Sequence, residues 1–181
     1  MTLIRPATLN DAAAIATIHL SSWIAAFSQF LPDEIVALKN LDETAEIKKW
    51  QGRLNEEEGK TRWTFLSIQE GQAVAFITGG PDRSETANYD AELYQIYVLP
   101  DAQQQGLGKD LVSILAKKLA EKGFRSMLVW VMTENPAIKF YHDGLGAQNL
   151  EQIRPIPETK GALEEAAYGW PDIRSLVPDE E

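Results

Sequence analysis

The stretch ELYQIYVLPDAQQQGLGKDLVSILAKKL, residues 92–119, decides the fold of this chain. It opens as a buried strand, passes through a tight turn rich in Gln and Gly, and continues as a helix that starts on that turn. Apolar residues at 107, 111, 114, 115 and 119 follow the helical repeat. Gln103, Gly106 and Gly108 make the pattern Q-x-x-G-x-G. A strand that feeds a glycine turn at a helix start gathers backbone N–H groups at the positive end of the helix dipole. That arrangement suits a phosphate or pyrophosphate. Gly106 and Gly108 carry no Cβ, so the backbone can bend sharply there and a ligand can approach it closely.

Two glycines in a strand-to-helix turn are also a common structural device that binds nothing, and the turn alone does not separate the two readings. Nucleotide loops fail on residue identity. A Walker-A loop needs Gly where Gln103 stands and Ser or Thr after Lys109, where Asp110 would repel phosphate. A dinucleotide fingerprint needs a third glycine at Leu111 and normally follows the first strand of its domain. YQIYVLPDAQQQGLGKDLV, residues 94–112, resembles the acetyl-CoA-binding segment of the GCN5-related N-acetyltransferases (GNAT). In that family the loop has Arg or Gln, two residues, Gly, one residue, and Gly or Ala, after a hydrophobic strand. The preceding I-Y-V-L-P-D and the following amphipathic helix make the resemblance specific.

Length and composition bound the function. At 181 residues and 44% hydrophobic, the chain fits one globular domain, residues 1–175, with an acidic tail at 176–181. Twenty-seven acidic against seventeen basic residues give a formal charge of −10. This argues against binding to nucleic acid or anionic membrane. Solubility explains the charge, which also tilts mildly toward a cationic small substrate. The chain has no Cys, which excludes disulfides, thiolate metal sites and a Cys nucleophile. No residues with metal-ligand spacing surround His19, so no metal is expected. No apolar run spans a bilayer and no signal-peptide layout opens the chain, so a cytoplasmic location is expected.

Around the central segment the pattern alternates strands and helices. Residues 2–6 read as a first strand, and Thr8 with Asp11 as a capping box for a helix from about Leu9. That helix carries Ile15, Ile18, His19, Ser22, Trp23 and Phe27 down one side. Pro32 opens a helical turn over 32–40, and a charged helix follows over 42–58, with Glu46, Lys49 and Arg53 read as a solvated face. Residues 63–68 and 72–78, joined by Gln69–Gly71, make a hairpin, and 79–90 a polar connection. Residues 89–99 are the fourth strand. Residues 125–132 form a near-continuous apolar strand, and 135–144 a short helix with Pro136 at its start. Two closing strands follow. The expected fold is α/β, a mixed sheet flanked by helices. The resemblance makes it the single-domain acyl-CoA N-acyltransferase fold, its sheet mostly antiparallel and its fourth and fifth strands splayed to admit the cofactor.

The resemblance also assigns roles. Acetyl-CoA is the co-substrate, and the amides of Gln104, Gln105, Gly106, Leu107, Gly108 and Lys109, with Gln103 opening the motif, hold its pyrophosphate. Backbone groups of Ile96, Tyr97 and Val98 pair with the pantetheine arm, and the Val98 N–H stabilises the oxyanion. NPAIKFY, residues 135–141, matches the second motif, with Asn135 beside the pantetheine and Tyr141 as general acid to the coenzyme thiolate. A Tyr hydroxyl suits that task because its ordinary pKa of about 10 lies near that of an alkyl thiol. Glu92 shares a strand face with Tyr94 and Ile96 and is the candidate base, acting through a water. Trp23 and Phe27 are candidates to line the acceptor pocket. Core packing would explain either aromatic, and an exposed strand end would explain Glu92. Direct attack by a primary amine within a ternary complex follows, with a polyamine, aminoglycoside, amino acid or protein N-terminus as acceptor. The rival reading is a non-catalytic acyl-CoA-binding sensor. Homodimers are common in the family.

Overall fold

The computed structural model describes residues 2–28, 42–56, 61–84, 88–156, 159 and 163–178. The helical turn expected over 32–40 lies outside them, as does the end of the acidic tail. The elements are strand β1 (Thr2–Pro6), helices α1 (Ala12–Phe27) and α2 (Glu43–Glu56), and strands β2 (Trp63–Gln69), β3 (Gln72–Pro81) and β4 (Ala91–Val98). Helix α3 (Leu107–Glu121) and strands β5 (Met127–Met132), β6 (Gln148–Pro155) and β7 (Glu164–Trp170) follow. The strands form one mixed sheet in the order β1-β2-β3-β4-β5-β7-β6. The chain divides into two compact units: residues 1–79 with 95–115, and residues 80–94 with 116–181. Strand β4 and helix α3 run through both.

In the first unit, β1 and β2 pair antiparallel, as do β2 and β3. The hairpin between β2 and β3 turns on Glu70 and Gly71, both at positive φ (50° and 81°), the turn whose twist suits two paired strands. The capping box forms as the spacing implied. The Thr8 N–H donates to the Asp11 carboxylate at 2.7 Å, and the Asp11 N–H to the Thr8 carbonyl at 2.9 Å. The box closes a short 3-10 turn, Leu9–Asp11, and α1 starts one residue later. Arg5 grips both Asp11 oxygens at 2.8 Å, which with the Thr8 bonds holds that carboxyl down at about 2. The core of this unit is Ile15, Ala16 and Ile18 of α1, Trp50 and Leu54 of α2, and Leu66 and Phe76 of the sheet. Fully burying each large apolar side chain stabilises by about 1.5–3 kcal/mol.

Two expectations are corrected here. Strand β3 runs on to Pro81, so Gly79 and Gly80 lie in the sheet and not in the polar connection. Gly79 stands opposite Trp63, and the neighbouring strand supplies the regularity that two glycines lack. Helix α2 is likewise not solvated throughout. Glu46 is 8% exposed, and the Arg53 guanidinium lies 4.7 Å over the Trp50 ring.

In the second unit, β4 pairs with β5 in parallel over Ala91–Leu93 and Met127–Val129, the first three residues of each strand. β5 and β6 both pair antiparallel with β7. Asp90 joins the start of β4 to that of β5. Its carboxylate accepts from the N–H groups of Arg125 and Ser126 and from the Ser126 hydroxyl, each at 2.9 Å. Burial works to raise its pKa, but these hydrogen bonds prevail and lower it. A 3-10 turn at Ile173–Leu176 closes the unit, burying Ile173.

Gly169 on β7 is a second tie. A Cβ there would lie 2.5, 2.6 and 2.8 Å from Cε1, Cζ and Oη of Tyr89, inside any real contact distance. Overpacking of this kind costs about 1–3 kcal/mol. Gly169→Ala is therefore expected to lower the melting temperature by about 5 °C, at about 2–4 °C per kcal/mol for a chain of this size. Scanning calorimetry checks it. The loss should shrink in a Tyr89→Leu background, where the ring no longer stands in the way, and an equal loss in both backgrounds would disprove the clash.

Candidate active site

The turn singled out in the sequence lies in the first unit and is exposed from Gln103 to Gly106. After β4, Pro100–Ala102 form one 3-10 turn, and α3 begins at Leu107. The Ala102 N–H donates to the Leu99 carbonyl and the Gln103 N–H to that of Pro100. The next internal bond runs from the Asp110 N–H to the Gly106 carbonyl. Between them stand six consecutive amides, Gln104 to Lys109, none of which donates to a protein acceptor among the described residues. The last three are the orphan donors of a helix start.

Gln104 (φ 60°) and Gly106 (φ 84°) both take the left-handed conformation. Alternation of handedness bends successive N–H groups toward one side, the geometry that makes a backbone anion nest. Gly106 meets this need at no steric cost. The Gln side chains brace the turn. Gln103 Nε2 donates to the Val98 carbonyl at 3.1 Å, and Gln105 donates to the Asp101 carbonyl while accepting from Gln69. Gln103 therefore ties the turn to its strand, and its own N–H is already used.

On β4, Ile96, Tyr97 and Val98 are all half-buried. The Tyr97 ring packs 5.0 Å from His19 and 5.7 Å from Phe76, so its side chain belongs to the core and only its backbone remains for a ligand. Trp23 is half-buried on α1, one turn beyond His19. Phe27 ends the helix, and its side chain lies outside the described positions.

In the second unit, Glu92 is 3% exposed and held by Arg83. The guanidinium donates to Oε1 at 2.6 Å and to Oε2 at 3.1 Å, and the Arg83 backbone N–H adds a second bond to Oε2 at 3.1 Å. Arg83 also lies 3.7 Å over the Tyr94 ring. A carboxylate has about four lone-pair directions; three are occupied, and among the described residues nothing donates to the fourth, on Oε1. An exposed strand-end glutamate, the plain alternative, is thereby excluded.

Tyr141 sits in a π-helical turn, Phe140–Gly144, between the rings of Phe140 (5.1 Å) and Trp170 (6.3 Å). Burial raises its pKa, so the hydroxyl keeps its proton at every physiological pH. Asn135 caps the preceding turn, its Oδ1 accepting from the Ala137 N–H at 2.9 Å. The His142 Nδ1 is engaged with the Ala147 carbonyl at 2.8 Å.

One group escaped the sequence reading. His19 Nδ1 and Glu46 Oε1 are 2.8 Å apart, both residues buried, and His19 Nε2 is 3.4 Å from Gln95 Nε2. Glu46 and Gln95 lie 27 and 76 positions from His19, so no local spacing announces the group.

A sheet of this order, with an open glycine turn between its central strand and a helix, is the arrangement expected of an acyl-CoA N-acyltransferase fold. The sequence profile of the Acetyltransferase (GNAT) family matches residues 21–147, and the chain belongs to that family: it is an acetyl-CoA-dependent N-acetyltransferase. It is 34% identical over 177 residues to the uncharacterized N-acetyltransferase YuaI of Bacillus subtilis, covering 97% of this chain and 96% of that one. It is 25% identical to the phosphinothricin N-acetyltransferase of Streptomyces viridochromogenes, covering 94% and 83%. In fold it is similar to the PaiA N-acetyltransferase of Thermoplasma acidophilum, solved with coenzyme A, at a TM-score of 0.74. There 16% of residues are identical over 94% of this chain and 99% of that one. Among the described residues no helix is long and apolar enough to cross a membrane.

Proposed function

We propose that this protein transfers the acetyl group of acetyl-CoA to a small polyamine-like primary amine by direct attack in a ternary complex. What supports this most is the run of six open amides from Gln104 to Lys109, on the loop whose residues match the family motif. In the proposal these amides hold the pyrophosphate, and backbone groups of Ile96, Tyr97 and Val98 pair with the pantetheine arm. Asn135 lies beside that arm, and Trp23 and Phe27 are the candidates to line the acceptor pocket. The amine nitrogen attacks the thioester carbonyl, and the Val98 N–H steadies the oxyanion. As the new C–N bond forms and the C–S bond breaks, Tyr141 gives its proton to the thiolate. The proton of the amine passes to Glu92 through a water on the one open lone pair of Oε1. The formal charge of −10 supports a cationic acceptor. One relative is named for a different acceptor, phosphinothricin, and in the proposal the acceptor is set by residues outside the shared loop.

The test is thiol release from acetyl-CoA against a panel of spermidine, an aminoglycoside, free amino acids and peptide N-termini, followed by mass spectrometry. Release with spermidine and a gain of one acetyl group supports the reading. Acetyl-CoA binding without release against any amine would replace it with a non-catalytic sensor.

A further inference from the structure

We propose that His19 and Glu46 fix the orientation of the Gln95 side-chain amide, so that its carbonyl oxygen is turned outward to accept an N–H from the acceptor amine. This rests on the reading of the chain as an amine acetyltransferase. Gln95 is then a binding residue, and His19 and Glu46 are positioning residues that act through it.

The polarity of the chain follows from its far end. The hydrogen bond from His19 is the largest influence on Glu46 and holds its carboxyl down at about 2 against the opposing effect of burial. The charges of Lys49 and Arg53 work in the same direction as the hydrogen bond. Near neutral pH Glu46 is an anion and can only accept, so the proton between the two residues sits on His19 Nδ1. In the neutral ring Nε2 is then the acceptor. The group 3.4 Å from it is the amide nitrogen of Gln95, which can only donate. With that nitrogen committed, Gln95 Oε1 faces the other way, and among the described residues it takes no hydrogen bond.

The surroundings hold this arrangement in place. The His19 ring lies 5.0 Å from Tyr97 and meets Trp50 and Phe76 edge-on at 6.2 Å. It therefore cannot turn over without disturbing the core. Burying the Glu46 carboxylate costs free energy that apolar residues of the same shape would not, so packing alone does not account for it here. The pair does transmit a fixed direction to a half-buried position on β4, next to Ile96. One turn along α1, the buried Ser22 hydroxyl has no partner among the described residues.

The experiment is nitrogen NMR on the labelled full chain, with n-butylamine as the probe. Near neutral pH, His19 should show a protonated Nδ1 and a lone-pair Nε2, and n-butylamine should shift the Gln95 side-chain amide. Glu46→Gln removes the charge while keeping the shape and the hydrogen-bonding capacity. It should mix the two ring tautomers and weaken the amine response about fivefold, the equivalent of one ordinary hydrogen bond. Gln95→Leu should weaken n-butylamine binding by the same factor, and adding Glu46→Gln to it should change nothing further. A lone proton on Nε2 in the unaltered protein would overturn the proposal, as would an equal response in Glu46→Gln or additive effects in the double variant. Calorimetric binding of acetyl-CoA, measured in parallel, reports on the acetyltransferase reading separately. His19→Gln, which restores an acceptor where Nε2 stood, should recover the Gln95 response if the first variants are poorly folded.

Discussion

Gly108→Glu is expected to weaken acetyl-CoA binding by about 100-fold or more while leaving the protein at least as stable, a separation few substitutions give. Gly108 is the second residue of α3, and its amide is one of the six open donors. Glycine inside a helix is worse than an ordinary residue by about 0.5–1 kcal/mol, and an acidic side chain in the first turn complements the dipole. Helix propensity and the dipole therefore both favour the fold. The nest suffers: a carboxylate set beside it answers the same N–H groups that a pyrophosphate would use and repels what remains of that charge. Isothermal calorimetry reads the binding, and thermal unfolding reads the stability. Unchanged affinity would mean that the phosphates lie elsewhere, whereas a lost fold would contradict the helical argument.

Tyr141→Phe should lower kcat by about 100-fold, at the lower end of what a general acid contributes, with affinity for acetyl-CoA nearly unchanged. The ring is held between Phe140 and Trp170, so a phenylalanine fills the same space and the packing survives. What is removed is one proton. Burial raises its pKa and keeps that proton on the oxygen, where it is available to the thiolate charge that develops as the C–S bond breaks. Steady-state kinetics against saturating acetyl-CoA decide the matter. Turnover equal to that of the unaltered protein would take Tyr141 out of the acid role, and an equal fall in affinity would make it a binding residue.

Much of this molecule can be read from local pattern. The capping box at Thr8 and Asp11, the turn at Glu70–Gly71 and the buried face of α3 involve residues a few positions apart, where spacing and side-chain type decide the outcome. The glycine loop is legible for the same reason: whether its amides are open depends on the conformation of six successive residues. Elsewhere the local signal misleads. Gly79 and Gly80 read as a loop, yet they continue β3 because Trp63 stands across from Gly79. Glu46 reads as part of a solvated helix face, yet it is buried because α1 brings His19 to it. The closing turn at Ile173 had no pattern of its own and is held by the Arg125 carbonyl, 48 residues back.

The sequence by itself determined the alternation of strands and helices, the open glycine turn and the family to which the chain belongs. Each of these rests on neighbours along the chain. Only the tertiary structure decided that Arg83 occupies Glu92, that Tyr141 is shielded from water, and that His19, Glu46 and Gln95 meet. Charge pairing and burial depend on which side chains arrive from distant elements, and a buried charge is settled by its partner in space, not by its position in the chain.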